Sequence, residues 1–185
     1  MKQFIRLAII TAVATALVPS ASGAMMKSSP DLRSDMRKLW EDHVTWTRLF
    51  IVSALGELPD KAATTDRLLK NQVDIGNAIK PFYGNEAGDT AKLGTDKARW
   101  VANADEIAGF LSAANPKNWP AADMKKMMRE HLDATTAELM ARINKDWAAD
   151  VAAYEKVHAQ ILHMADMLTD GIAKQFPEKV KDRAA

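Results

Sequence analysis

The chain of 185 residues contains no cysteine. That excludes disulfides, thiolate metal ligands, thiol nucleophiles, c-type haem attachment and a lipoprotein anchor. Charge of one sign is missing too, since 25 basic residues face 24 acidic ones. No single-sign field exists to hold nucleic acid or an anionic membrane. Strand-like alternation of β-branched residues is hard to find, and aromatic residues make up only 6%. Of the standard catalytic templates there is no Gly-x-Ser-x-Gly elbow, no phosphate-cradling glycine loop and no His-Glu-x-x-His.

What is present begins with an export signal. Lys2 and Arg6 precede an apolar run from Leu7 to Val18, and Pro19-Ser20-Ala21-Ser22-Gly23-Ala24 supplies small residues for cleavage. The run is shorter than the roughly 20 residues that cross a bilayer core, and no later run approaches that length. The expectation is a signal peptide over 1–24 and an exported protein of the periplasm or exterior, with no transmembrane segment after cleavage. Roughly 160 mature residues suffice for one domain held by its core alone. Removing Lys2 and Arg6 leaves 23 basic against 24 acidic side chains, close to neutral.

Helical periodicity dominates the rest, giving an all-α class: an antiparallel bundle of four to five helices. Residues 25–34 are expected to be a flexible tail, 35–177 the bundle domain and 178–185 a polar tail. The first helix, capped by Asp31 or Ser34, runs to about Leu58, with Met36, Leu39, Trp40, His43, Trp46, Thr47, Phe50, Ala54 and Leu58 facing inward. Thr64 or Thr65 caps a second helix carrying Leu68, Leu69, Gln72, Ile75, Gly76 and Ile79 inward, and Pro81 ends it. Gly76 implies close approach of a helix or a ring, and Asp74 points away from the stripe. Residues 85–95 read as a loop. A third helix runs from a Thr95 cap to about Ala114, and Asn118 is a natural cap for the next.

From Ala121 to Phe176 the period never clearly stops. One helix of that span would be about 80 Å long, so a turn is placed at Asn144-Lys145-Asp146, with Asp146 as N-cap. The inward stripes there include Met124, Met128, Leu132, Thr135, Leu139, Ile143, Trp147, Val151, Tyr154, His158 and Ile161. A weak internal likeness links Trp40-Glu41-Asp42-His43-Val44 to Met128-Arg129-Glu130-His131-Leu132, and Asn77-Ala78-Ile79 to Asp170-Gly171-Ile172.

The motif Trp40-Glu41-Asp42-His43-Val44-Thr45-Trp46-Thr47-Arg48 and the segment Asn71-Gln72-Val73-Asp74-Ile75-Gly76-Asn77-Ala78-Ile79-Lys80-Pro81 resemble those of a family of small bacterial helical-bundle proteins. Further likeness covers 100–108 and 164–172, so it extends over nearly all the mature chain. No settled activity is known for that family, so the resemblance implies a fold and no reaction. Relatives carry an additional leucine-rich helix with its own histidine before the Trp100 helix. Its absence here implies an open groove, and an incomplete site wherever that histidine takes part.

Function candidates follow from the inward polar groups. His43, His131 and His158 are the candidate metal ligands, with Gln72, Asp74 and Arg48 as further core polar residues. Bundle cores build metal and cofactor sites from facing helices; the structural reading is that each imidazole hydrogen-bonds a neighbour and satisfies itself. Copper or zinc would accept imidazole, copper(I) also methionine from Met124, Met127, Met128, Met164 or Met167, though methionines at such spacings are usually core filler. Non-covalent haem iron on Met36 and His158 is a further option. A di-iron site is weakly supported, because Glu155-Lys156-Val157-His158 is the one Glu-x-x-His present. Arg48 and Arg142 could neutralise buried carboxylates. Asp74, Asp105, Glu106, Asp166 and Asp170 could serve as acid and base only if two share a cleft; singly they read as solvated or capping. The expectation is a binding or interaction module, with a protein partner or self-association through the groove, and a metal- or haem-binding protein as the alternative.

Overall fold

A computed structural model of the chain describes residues 27–85 and 100–181. The expected export signal, the expected Thr95 cap and most of the segment 85–95 read as a loop lie outside the described residues. Five helices are present there: α1 (Ser29–Leu55), α2 (Lys61–Tyr83), α3 (Trp100–Ala114), α4 (Ala121–Ile143) and α5 (Trp147–Gln175). No described helix is long and apolar enough to cross a membrane. The all-α bundle is therefore what the chain forms.

Two short strands, β1 (Lys27–Ser28) and β2 (Val180–Lys181), pair in parallel and tie the two ends of the bundle domain together. This corrects two expectations. The segment before residue 35 is not a loose tail, because Ser28 caps α1 by accepting from the Asp31 N–H, with Pro30 in the first turn. Nor is the segment after Pro177 wholly polar surface, since Val180 is buried in the core.

Local signals set the other ends. Gly56 closes α1, its N–H reaching the Val52 carbonyl, so the helix stops short of Leu58, which is exposed. Asp60, not a threonine, occupies the N-cap of α2, and Pro81 sits inside its last turn. Gly84, at φ 85°, terminates it in a conformation that side chains rarely adopt. Pro120 holds the N-cap position of α4; Asn118 instead donates to the Asn115 side chain. The turn at 144–146 is present, with the Asp146 side chain accepting from the Ala149 N–H.

Packing runs α2–α1–α5–α4–α3, a curved layer in which α1 also touches α4 across the middle. Ion pairs fix the directions. Arg33 pairs with Asp170 at one end of α1 and Arg48 with Asp150 at the other, so α1 and α5 are antiparallel. The core is built from Leu32, Met36, Trp40, Val44, Ile75, Met124, Met128, Ile161, Met164 and Leu168, closed at one end by Trp119. The Nε1 edge of Trp119 sits against Gly171, where an added Cβ would fall 2.0 Å from Nε1. Gly171 is thus an interior contact of α5 rather than its terminus; Gly76 is buried as well. No packed interface joins α2 to α3 among the described residues.

Four inward assignments fail. Trp147 and Val151 are exposed and His158 is half-exposed, while Asp150, Val157 and Ile161 are buried. At about 100° per residue His158 stands roughly 60° round the helix from Ile161, at the edge of the stripe, and a stripe extended in fours drifts by about 40° at each step. The same drift carries Ile143 out into solvent.

Candidate functional site

The two free flanks of the layer, α2 and α3, face each other across an apolar groove of about 440 Å³. Its walls carry Met36, Phe50, Ala54 and Ile51 from α1, Leu68, Leu69, Ile75 and Ile79 from α2, Ala104, Ile107 and Phe110 from α3, and Met128, Leu132 and Leu139 from α4. Ligand clefts commonly span about 300–1,000 Å³ and are mostly apolar with a few polar groups inside. Among the described residues no Asp, Glu, Lys or Arg lines this one. The polar lining residues are His43, Thr47, Thr65, Gln72, Asn103, His131 and Thr135, with the tyrosine and tryptophan heads.

His43 and His131 are brought together at the centre, their ring centroids 5.9 Å apart. Trp40 stands edge-on to His43 at the same centroid spacing. Each imidazole is steered by a glutamine. Gln160 donates from Nε2 to the Met127 carbonyl at 3.2 Å, which turns its Oε1 to His131 Nδ1 at 3.0 Å. The proton of neutral His131 therefore sits on Nδ1. Gln72 presents Nε2 to His43 Nδ1 at 3.0 Å, which makes that nitrogen the acceptor. Thr47 and Thr135 each donate to the carbonyl of the histidine four residues earlier, at 2.8 and 2.9 Å. Burial pushes the His43 pKa down to about 3, with the neighbouring His131 adding to the effect and Asn71 opposing it. Burial likewise lowers that of His131, against the pull of Gln160. Both rings are neutral near pH 7.

Hydrogen bonding in this corner is incomplete. Trp40 Nε1 and Gln72 Oε1, both fully buried atoms of groove-lining residues, have no partner among the described residues. Nor does Asn71 Oδ1, although its Nδ2 donates to the Leu39 carbonyl at 3.0 Å. Orphaned buried polar atoms are unusual and costly.

His158 does not join the pair. It lies away from the groove lining, with Nε2 2.9 Å from Glu41 Oε1 on the surface. The expected trio of His43, His131 and His158 is therefore split, and no group of three His, Cys, Asp or Glu that could hold a metal occurs among the described residues. Met36 lines the groove and His158 does not, so the Met36–His158 haem pairing has no geometric basis. Glu155 is exposed, and Met124, Met127, Met128 and Met164 are buried core.

The other candidates resolve into structural pairs. Asp74 is half-buried and held by Lys70. Asp105 is paired with Arg129 at 2.7 Å. Asp166 accepts from Arg37 and Arg33, which hold its pKa down to about 2. Arg48 does meet buried carboxylates: it donates to Glu138 at 2.7 Å and to both oxygens of Asp150, which Arg142 also engages at 2.9 Å. Glu138 and Asp150 are each 1% exposed. Burial raises the Glu138 pKa. It also works to raise that of Asp150, but Arg48 and Arg142 outweigh it and the net shift is downward. Two cations and two carboxylates close on themselves.

Sequence reasoning missed Asp150 and Gln160, because charged and amide side chains on helices read as surface by type; the helical period puts Glu138 at the edge of an inner stripe with His131, Thr135 and Arg142 but does not name its partner. Comparison with family models, with curated proteins and with solved structures finds no match to this chain.

Proposed function

We propose that the protein is a binding module that takes up a small, largely apolar molecule between α2 and α3. The observation that carries this reading is the groove of about 440 Å³ with no charged residue among the described residues that line it. Uncovered apolar surface of this depth costs free energy in water, at about 25 cal/mol per Å², and an occupant removes that cost. Nothing in the site pairs a nucleophile with a base and an oxyanion donor, so binding is favoured over catalysis.

The test is a titration with Nile red, an uncharged dye that brightens in apolar surroundings. Saturable enhancement at one site per chain is expected. Phenylalanine at Ala54 and Ala114, both half-buried lining residues, should weaken it at least about tenfold with helicity by circular dichroism unchanged. Absence of saturable binding, or binding indifferent to the filled groove, refutes the proposal.

A second reading has its own observation. Gln160 holds the proton of neutral His131 on Nδ1 and leaves Nε2 free, the outer hydrogen bond that aims a histidine at a copper or zinc ion or a haem iron; the His43 ring, 5.9 Å away, would join it through Nδ1 once that nitrogen is released by Gln72. Met36 and Met128 line the same groove and would suit copper(I). Stoichiometric metal or a visible absorption band, lost in His43→Ala and in His131→Ala but kept in His158→Ala, would establish it. Metal-free, colourless protein after exposure to copper(I), zinc and haem would remove it.

A further inference from the structure

The groove has a floor at one end and a mouth at the other. Tyr83, in the last turn of α2, donates its hydroxyl to Gln175 Oε1 at 2.6 Å, and Gln175 Nε2 donates to the carbonyl of Ala114, the last residue of α3, at 2.9 Å. The ends of α2 and α3 are thereby joined through α5. The Tyr83 ring also meets those of Trp119 and Phe176, at centroid spacings of 5.9 and 5.2 Å. Exposure of the lining rises away from this floor: Trp119 and Ile172 are each 1% exposed, whereas Leu69 is 39% and Leu55 46% exposed. The mouth therefore lies where α1 ends and α2 begins.

Between the two ends the lining is long and narrow. Thr65, Leu68, Gln72, Ile75, Ile79 and Tyr83 follow one another along α2 at steps of three and four, so the groove runs about 27 Å along that helix at 1.5 Å per residue. Dividing the volume of about 440 Å³ by that length leaves a mean cross-section of about 16 Å², the girth of one hydrocarbon chain. We propose that the groove holds a single unbranched aliphatic chain lying along the helices, its tail on the Tyr83–Trp119 floor and its polar head at the Leu55–Leu69 mouth. This rests on the binding reading of the groove and names the shape and chemistry of its ligand. A free fatty acid and a single-chain phospholipid both present such a chain.

Charge decides which way round the chain lies. Among the described residues the lining offers a charged head no partner, and an unpaired charge is costly to bury. At the mouth both signs are at hand, because Asp60 and Lys61 stand exposed about one turn before Thr65. The site thus selects the chain and leaves the head in water.

The experiment displaces Nile red from the purified protein at pH 7.5 with straight-chain carboxylates from octanoate to hexadecanoate, with hexadecanoyl lysophosphatidylcholine and with 3,7,11,15-tetramethylhexadecanoate, each below the concentration at which it aggregates. Displacement should tighten about threefold with each added methylene. The tetramethyl acid carries more apolar surface on the same backbone, so area alone would favour it; the narrow groove should instead disfavour it at least about tenfold against hexadecanoate. Ala114→Phe raises the floor and should cost hexadecanoate at least about tenfold more affinity than it costs decanoate, with helicity checked by circular dichroism. Whichever of hexadecanoate and the lysolipid displaces the dye at lower concentration identifies the source of the chain. Equal or tighter displacement by the branched acid overturns the proposal, as does displacement that ignores chain length; both are read on the wild type, whatever the fate of the variant. Equal losses for the two acids in folded Ala114→Phe overturn it as well. Failure of Nile red to bind at all sinks the groove reading, and this proposal with it, so the two failures are distinguishable.

Discussion

Acid should destabilise this fold through the two central histidines. Folding transfers His43 from water, where its pKa is about 6.5, to a site where burial brings it to about 3. A histidine with a depressed folded pKa binds its proton in the unfolded chain first. Its contribution to stability is therefore complete above about pH 6.5 and is lost as pH falls toward 3. Within that window the loss is about 1.4 kcal/mol per pH unit, so His43 alone should remove about 2 kcal/mol between neutrality and pH 5. His131 is shifted in the same direction and adds to this. Against a total stability of about 5–15 kcal/mol the effect is easily measured. Urea denaturation followed by circular dichroism at pH 7.5, 6.5, 5.5 and 5.0 gives the slope. Glutamine at His43 and at His131 removes the titrating rings, and the double variant should be nearly flat over the same range. Parallel pH profiles for wild type and the double variant would refute the reasoning, as would an NMR titration in which either ring protonates near pH 6.5 in the folded state.

Other perturbations test the frame. Gly171→Ala drives a methyl into the indole of Trp119; overpacking of about 3 kcal/mol less a helix-propensity gain of about 1 kcal/mol should lower the Tm by about 4–8 °C, and Trp119→Phe should reduce that penalty in a double-mutant cycle. An unchanged Tm would mean that the ring does not sit where described. Arg48→Met leaves Glu138 with no partner and Asp150 with Arg142 alone, and should cost about 3–5 kcal/mol by urea denaturation at pH 7; a loss below about 1 kcal/mol would show the cluster to be hydrated. Asp166, held near a pKa of 2 by Arg37 and Arg33, contributes stability present above about pH 4 and lost as pH falls through 2. Wild type should consequently fall more steeply than Asp166→Asn across that interval.

Much of this was legible in the chain. The apolar period located the helices and put His43 and Gln72 on inner faces, because burial of one stripe per helix is what holds a bundle together, while the turn at 144–146 followed from the length of a run in which the period never stops. Arg48 and Arg142 at inner positions signalled buried carboxylates. Which carboxylates could not be read, since an acidic residue on a helix is normally solvated and only the tertiary pairing tells Glu138 from Glu130. The period did not separate His158 from the core, because it stands roughly 60° round the helix from Ile161, at the edge of the stripe. Its neighbour Val157 takes the core position instead.

The weak internal likeness proves to be the most informative pattern, and in a form the sequence did not announce. His43 and Gln72 are separated by 29 residues, and so are His131 and Gln160. Carrying the offset between the two histidines along the chain matches Met36 with Met124, both buried, and Thr47 with Thr135, both bonded back to a histidine carbonyl. The likeness between Asn77-Ala78-Ile79 and Asp170-Gly171-Ile172 falls at a different offset and does not belong to this register. The informative positions are those where the register breaks. Phe50, Ala54 and Ala62 in the first hairpin stand where the second has Glu138, Arg142 and Asp150. In the second hairpin those three gather around Arg48 and cross-tie α1, α4 and α5 with charge. In the first, Phe50 and Ala54 carry no charge and line the groove. Two hairpins of one pattern have thus diverged where it matters for binding: one spends the positions on holding helices together, and the other leaves them apolar beside a pair of neutral imidazoles.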